Sequence, residues 1–551
     1  MSTEMDNLDV WDGKTPFGDL PARASQRFGA REALVYQGAR YSFIDLSERV
    51  DRVASGLMGL GLEPGEHVCI WLNNRPEWID LMFALAKIGT VHIPVNTRFR
   101  TADVEYILGQ SDATTLITHD RSGPIDYLAM VRELVPDAVC DTDGTVHSPR
   151  FPKLKRIIIL GDSRPPYVLH WNDVLDAAEK TAPAALAERA ARVQLSDPLF
   201  IMYTSGTTSF PKGAMRDHSL LRNHRDRIRI WGTTPSDVML NYLPLFHIFG
   251  YADGPLLSVM AGNRQVLTET FVPDECLDLI EAEGATQMCG FETHLKDLTD
   301  AQARRPRDVR SLRAGIFAGG MQSAVPIIQR ACNILAPLNI LTAYGMTEIG
   351  ANACLSALSA NDEQRSETSG LPCPGFDVRI VDPATDQTMP AGEPGEICIK
   401  TYNMMLGYYQ NDDATEKSYD GDGWFRTGDM GLLREDGYMR FLGRYKDMLK
   451  IGGENVDPME VERHLLGHPG VSQVAVVSLP DPRLAEVAVA FVEAADRQLT
   501  AEDVIEYCRG QIASFKIPRH VWLVDQLPMT STGKVQKAKL RDDALRRVAD
   551  S

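Results

Sequence analysis

The chain reads as a multidomain α/β protein, and three observations predict it. Its 551 residues exceed what one hydrophobic core organises, so three or four domains or subdomains are expected. Apolar strand-like runs alternate with amphipathic helix patterns over the first hundred residues and again around 200–345, the mark of βαβ units built on parallel sheets. From about 370 the texture shifts to short β-like runs split by Gly, Pro and Asp, which predicts a small β-rich subdomain. The expected architecture is a large N-terminal domain of βαβ sheet subdomains over 1–443, with the β-rich subdomain at about 370–443. A junction at 444–447 and a small α+β C-terminal domain over 448–551 follow.

Each element has a local cause. Ser42-x-x-Asp45 has the form of a capping box, and Leu46, Val50, Val53, Leu57 and Leu60 follow at spacings of four and three, so a helix starts there and stops at Gly61. His67–Leu72 reads as a buried strand, Pro76 opens a helix through Ile88, and Val91–Val95 is strand again. Ala314–Ala318 continues the same grammar. In the β-rich region the runs are Asp377–Val381, Glu396–Ile399 and Tyr438–Leu442. Asp457-Pro458-x-Glu460 is a helix start, with a capping side chain, a first-turn proline and an early glutamate. Val471–Val477 reads as strand, Thr500 to about Ile512 as helix, and Val521–Val524 as strand. No internal repeat interrupts this order.

Composition narrows the function classes. Hydrophobic content of 44% and charged content of 24% are those of a globular chain. A formal charge of −18 argues against broad binding to nucleic acid or anionic membrane, both of which need basic surface. The nine cysteines are scattered, with no CxxC pair, which suits a reducing compartment better than a zinc ribbon or a disulfide framework. The acidic N-terminus lacks a secretory core, and no apolar run approaches the ~20 residues of a membrane span. A cytoplasmic protein is expected; a homo-oligomer is compatible with these features.

The chemistry sits in loops. Apolar Leu199–Tyr203 runs into Thr204-Ser205-Gly206-Thr207-Thr208-Ser209-Phe210-Pro211-Lys212-Gly213, whose hydroxyls, backbone N–H groups and lysine can wrap phosphate oxygens. It is not the Walker pattern, because GxxxxGK[ST] is missing. Alone, such a stretch also fits a surface turn. Tyr344-Gly345-Met346-Thr347-Glu348 sets an aromatic ring, a hydroxyl and a carboxylate close together, and alone it reads as a structural turn. Its resemblance to a Y-G-x-T-E signature implies a face for a base, a hydroxyl for phosphate and a carboxylate for Mg²⁺.

Together these loops resemble the adenylate-forming superfamily of acyl-CoA synthetases, firefly-type luciferases and peptide-synthetase adenylation domains. The likeness runs in order along nearly the whole chain. Trp424-Phe425-Arg426-Thr427-Gly428-Asp429 resembles the family segment whose aspartate accepts the ribose hydroxyls. Gly443-Arg444-Tyr445-Lys446-Asp447 resembles the hinge motif, implying Arg444 near ribose and phosphates and Lys446 at the pivot. Gly452-Gly453-Glu454-Asn455 resembles the turn that meets coenzyme A, where glycines admit the pantetheine arm. Thr530-Ser531-Thr532-Gly533-Lys534, with Pro528 before it, resembles the loop of the catalytic lysine, and Lys537 and Lys539 read as surface charges. Gly319-Gly320-Met321 matches the adenine-side turn in part, and Ser209 stands where the family usually has glycine.

The resemblance implies an AMP-forming acid–thiol ligase that uses ATP, Mg²⁺ and coenzyme A. A carboxylate attacks the α-phosphate of ATP, pyrophosphate leaves, and the thiol of coenzyme A then takes the acyl group from acyl-AMP. The implied ATP/AMP-binding residues are Thr204, Ser205, Gly206, Thr207, Thr208, Lys212, Gly320, Tyr344, Thr347, Asp429, Arg444 and Lys534. Glu348 is the implied metal ligand, and Gly452 and Gly453 the implied coenzyme A contacts. Lys534, Glu348, Thr347 and His247 are the implied catalytic set. His247, in Pro244-Leu-Phe-His247-Ile-Phe-Gly250, resembles a gate between the acyl pocket and the thiol tunnel, with Phe291, Gly319 and Gly345 shaping the pocket. Sparse charge there points to an apolar medium-chain, cyclic or aryl acid. Two other readings stay open: loading of a carrier-protein thiol, and a catalytically silent nucleotide-binding scaffold.

Overall fold

The capping box forms as written. Ser42 accepts from the Asp45 backbone N–H, Asp45 returns the bond, and the helix runs Phe43–Gly59 with Leu46, Val50, Val53 and Leu57 buried. The computed structural model describes residues 10–141, 144–204, 211–318, 325–451, 454–496, 498–530 and 534–549.

Two large sheets carry the N-terminal part. The first has nine strands, six of them parallel neighbours, running from Glu32–Tyr36 through Arg264–Leu267, Val238–Asn241, Gln287–Phe291 and Ala314–Ala318 to Asn339–Met346. The second has eight, with His67–Trp71, Val91–Pro94, Thr115–His119 and Arg156–Leu160 all parallel to Phe200–Thr204. Parallel strands buried on both faces read as unbroken apolar runs rather than alternating ones, which is why those at 67–71, 91–94, 200–204 and 314–318 were visible in the sequence. Helices Phe43–Gly59 and Pro76–Lys87 share one buried cluster with Leu34 of the first sheet and with Val68 and Ile70 of the second.

The β-rich region is an antiparallel sheet of Phe376–Val381, Gly395–Thr401, Phe425–Leu433 and Met439–Arg444. It does not have a core of its own. Phe376, Ile380, Ile397, Ile399, Phe425 and Met439 belong to the same buried cluster as the first sheet. Its strand Phe425–Leu433 was not expected, because the nucleotide-like motif within it reads as a turn.

After Met439–Arg444 the chain makes a single 3₁₀ turn, Tyr445–Asp447, and enters a last sheet. Its long hairpin, Val471–Asp481 against Ala485–Ala494, has a register shift between Val471 and Gln473 and alternates from Val474 onward. Val474, Val476, Ala488, Ala490 and Val492 face one cluster with Val461, Leu465 and Val504, while Ala475, Val477, Val487, Val489 and Phe491 face another with Leu540 and Ala544. Both faces are therefore covered by helices: Pro458–Leu466 and Ala501–Cys508 on one, Lys537–Ala549 on the other. The helix expected to reach Ile512 ends at Cys508, followed by Gly510 at φ +70°, a turn conformation glycine tolerates. Lys537, read as a surface charge, is instead partly buried and ion-paired with Glu462 at 2.7 Å.

Candidate active site

Thr204 ends the parallel strand Phe200–Thr204, and its register partner is Lys212, the first residue of the antiparallel strand Lys212–Arg216. The phosphate-type loop therefore closes a hairpin, and its two ends are fixed by a strand pair. Ser205, Gly206, Thr207, Thr208 and Ser209 lie outside the described residues, as do Gly319, Gly320, Met321, Gly452 and Gly453.

Across from that hairpin, strand Asn339–Met346 of the first sheet ends in the turn Thr347–Ile349. Gly345 is obligatory at this point: a Cβ there would lie 1.5 Å from the Ala351 carbonyl oxygen. Glu348 projects to the second sheet, where Oε1 accepts from Tyr408 Oη at 3.0 Å and, more weakly, from Thr204 Oγ1 at 3.4 Å. The Lys212 ammonium stands 5.0 Å above the Tyr408 ring. Thr347 is buried beside Glu348. The carboxyl ends of parallel strands from two sheets thus converge, the usual crevice for ligands in open α/β sheets.

The antiparallel sheet supplies the third wall. Asp429 and Arg444 are cross-strand partners. Asp429 is 3% exposed; Oδ2 accepts from Tyr344 Oη at 2.7 Å, and Oδ1 lies 3.2 Å from Arg444 Nε as an ion pair without an aligned hydrogen bond. Burial pushes the Asp429 carboxyl above its ordinary range, against the pull of the Arg444 charge. Tyr344 stacks on Phe441, ring centroids 5.6 Å apart.

Lys534 reaches this wall from the C-terminal sheet. Its backbone N–H donates to Thr530 Oγ1 at 2.9 Å, and Arg98 Nη1 of the N-terminal part donates to the Thr530 carbonyl at 3.1 Å. The residue as a whole is exposed, yet its ammonium is set into the cleft 5.3 Å from the Phe291 ring. Burial and the Arg444 charge lower the lysine's pKa, while Asp429 and Glu292 oppose the shift. Glu292 was not singled out in the sequence, since an acid opening a helix reads as ordinary capping. Burial lifts it to about 7, with Lys534 pulling the other way.

His247 caps the short helix Ile248–Tyr251, its Nδ1 accepting from the Phe249 N–H at 3.2 Å. Enclosure, then the Lys534 charge, pushes its pKa down to about 3, so the ring is neutral at working pH. Phe291 packs edge-on against Phe249 at 5.5 Å and His247 at 6.1 Å. Gly250 permits that turn, because a Cβ would meet the Pro244 carbonyl oxygen at 2.3 Å.

Two family models match this arrangement: AMP-binding enzyme over residues 21–409 and AMP-binding enzyme C-terminal domain over 460–534. The chain belongs to the AMP-binding enzyme family. Among relatives, a putative acyl-CoA synthetase, YngI, of Bacillus subtilis is 37% identical over 96% of this chain and 97% of its own length. The human medium-chain acyl-CoA ligase ACSF2, a mitochondrial protein, is 30% identical over 95% of this chain and 87% of its own. Among solved structures, the anthranilate CoA ligase AuaEII with anthranoyl-AMP superposes with a TM-score of 0.84 at 26% identity, covering 99% of each chain. ATP-bound MatB from Rhodopseudomonas palustris gives 0.80 at 27% identity, over 96% of this chain and 98% of its own. This family member is an ATP-dependent, AMP-forming acyl-CoA ligase that proceeds through acyl-AMP. Among the described residues no helix is long and apolar enough to cross a membrane.

Proposed function

We propose that this ligase activates an apolar medium-chain, cyclic or aryl acid, and that the residues assembled above divide its two half-reactions. The carrying observation is the meeting of Glu348, Asp429, Arg444 and Lys534 around one cleft, although they come from four separate stretches of sequence. A free carboxylate resists thiol attack because its leaving group would be oxide; adenylation supplies AMP instead. Little proton transfer accompanies attack on the α-phosphate, so the residues act by placing and neutralising charge.

On this reading Thr204 and Lys212 anchor the phosphates, Asp429 receives the ribose hydroxyls, and the ammoniums of Lys212 and Lys534 face developing phosphate charge. Glu348 suits a magnesium ion arriving with those phosphates. Among the described residues no group of three or more His, Cys, Asp and Glu side chains is placed to hold a metal, and Mg²⁺ is ordinarily taken by one or two carboxylates plus substrate oxygens. The ion would offset phosphate charge and orient pyrophosphate for departure.

The apolar-acid reading is supported by the neutral His247 and by Phe249 and Phe291 around it. In the second half-reaction the part beyond Arg444 turns about the junction 444–447, with Lys446 as pivot, withdrawing Lys534 and bringing the Gly452–Gly453 turn in for coenzyme A. A cytoplasmic setting goes with this reading, supported by nine free cysteines. The test is coenzyme A-dependent AMP release over acids graded by length and ring content. Turnover is expected to peak with medium-chain or cyclic acids; a peak at acetate or at a dicarboxylic acid would sink the substrate assignment.

A further inference from the structure

We propose that Arg216 and Tyr408 are positioning residues that hold Glu348 from its two ends, Arg216 through the main chain and Tyr408 through the carboxylate. The inference rests on the reading of Glu348 as the carboxylate that receives the metal of MgATP. Neither residue was singled out in the sequence, because they lie far from Glu348 along the chain and sit in otherwise ordinary β runs.

The two residues come from neighbouring strands. Lys212–Arg216 pairs antiparallel with Gly407–Tyr408 at the edge of the second sheet, with Ala214 opposite Tyr408. Arg216 is wholly buried at 0% exposure. Its Nη1 donates to the Glu348 carbonyl at 2.8 Å and to the Asn403 carbonyl at 2.9 Å, and Nη2 donates to Asn403 Oδ1 at 2.5 Å. Asn403 Nδ2 passes the link on to the Ile349 carbonyl at 2.9 Å, and the Met405 N–H also donates to the Glu348 carbonyl, at 2.8 Å. The turn carrying Glu348 is thereby tied down carbonyl by carbonyl.

The turn is shaped to admit the guanidinium. Gly350 has φ +72°, and a Cβ there would stand 2.4 Å from Arg216 Nη2 and 2.6 Å from Asn403 Nδ2. Burial draws the arginine down to about 10, which still leaves it cationic at neutral pH. Among the described residues its hydrogen-bond partners are carbonyl and amide oxygens, and the acids acting on it, Asp217 and Glu348, do so only through space. A buried cation without a carboxylate partner is costly to keep. Here the cost goes into fixing one site turn.

Tyr408 works on the other end. Its hydroxyl donates to Glu348 Oε1 at 3.0 Å, and no described residue is seen donating to Oε2. With Tyr408 and, more weakly, Thr204 both donating to Oε1, Oε2 is the oxygen left for an incoming metal ion. The same Tyr408 ring carries the Lys212 ammonium on its face, so one side chain sets both a cation and an anion of the phosphate site.

The test is a Mg²⁺ titration of ATP-induced thermal stabilisation, with ATP affinity by calorimetry, on the full-length protein. The variants are Tyr408→Phe, Arg216→Lys, Glu348→Gln and the double variant Tyr408→Phe with Glu348→Gln. Tyr408→Phe is expected to need about tenfold more Mg²⁺ for the same stabilisation and to adenylate about tenfold more slowly, the size of one hydrogen bond to a charged group. Its KM for the acid and its ligand-free melting temperature should stay at wild-type values. Arg216→Lys keeps a cation but reaches fewer carbonyls, and should give the same Mg²⁺ shift. On the Glu348→Gln background Tyr408→Phe should add nothing, because both act through one carboxylate. An unshifted Mg²⁺ midpoint in Tyr408→Phe, beside a shifted one in Glu348→Gln, overturns the inference and leaves the reading of Glu348 intact. An unshifted midpoint in Glu348→Gln overturns that reading itself.

Discussion

Lys534→Ala is expected to lose adenylation by about 100- to 1000-fold, the range for removing one preorganised charge donor, and to keep its rate of thioester formation from supplied acyl-adenylate. The pairing of Thr530 with Lys534 should survive the change, because backbone groups and the Thr530 hydroxyl make it. The Thr530 N–H donates to the Lys534 carbonyl at 2.6 Å and the Lys534 N–H to Thr530 Oγ1 at 2.9 Å, neither through the lysine side chain. Only the ammonium is removed, from a cleft where Arg444, Asp429 and Glu292 all act on it. Equal loss in both half-reactions would refute the division of labour between them.

The same lysine sets a pH dependence. Burial and Arg444 lower its pKa, so its proton leaves at a lower pH than the ordinary 10.5. Stabilisation of phosphate charge is present below that folded-state pKa and is lost as pH rises through it. Adenylation kcat/KM, which reports the free enzyme, should therefore fall on an alkaline limb beginning short of 10.5. In Lys534→Arg that limb should move to higher pH, since a guanidinium does not deprotonate there. A limb that stays in place would assign it to another group.

What the sequence made legible followed from local causes. The Ser42 capping box, the proline at 76 and the Asp457 cap are each encoded within four residues, and all three helices begin where expected. Four of the buried parallel strands, at 67–71, 91–94, 200–204 and 314–318, were visible for the same reason, as short apolar runs between turns. Phe425–Leu433 escaped because Arg426, Thr427 and Asp429 interrupt its apolar pattern. Those polar groups are satisfied by tertiary partners, Glu396, the Ile397 carbonyl and Tyr344, which no window of sequence displays.

The site was legible to the extent that its motifs are contiguous. Tyr344, Asp429 and Arg444 do meet, but the order of motifs along the chain said nothing about Tyr344 donating to Asp429. Tyr408, Arg216 and Glu292 were silent because their meaning lies in what packs against them. Lys537 erred in the same direction: a lysine three residues beyond Lys534 looks solvent-facing, yet the final helix sets it against Glu462.

Asp429→Ala should show the second large effect, and the ribose hydroxyls should reveal it. The carboxylate is already oriented by Tyr344 at 2.7 Å and by Arg444, while Oδ1 has no aligned donor among the described residues. A buried acceptor in that state is ready for a hydroxyl. Losing two hydroxyl contacts to a charged acceptor, at about 1.5–3 kcal/mol each, corresponds to a rise in KM for ATP of about 100-fold or more. Removing one member of a buried ion pair ordinarily costs about 3–5 kcal/mol of stability, but water can hydrate the 44%-exposed Arg444 side chain, so about 1–2 kcal/mol is expected here. The deciding comparison uses 2′-deoxy-ATP and 3′-deoxy-ATP. The wild-type enzyme should disfavour both by about tenfold, the worth of one such contact, whereas Asp429→Ala should treat them and ATP alike. If the variant still discriminated between ATP and its deoxy analogues as strongly as the wild type, the ribose would have to be held elsewhere, and Asp429 would be left as a strut for Tyr344 and Arg444.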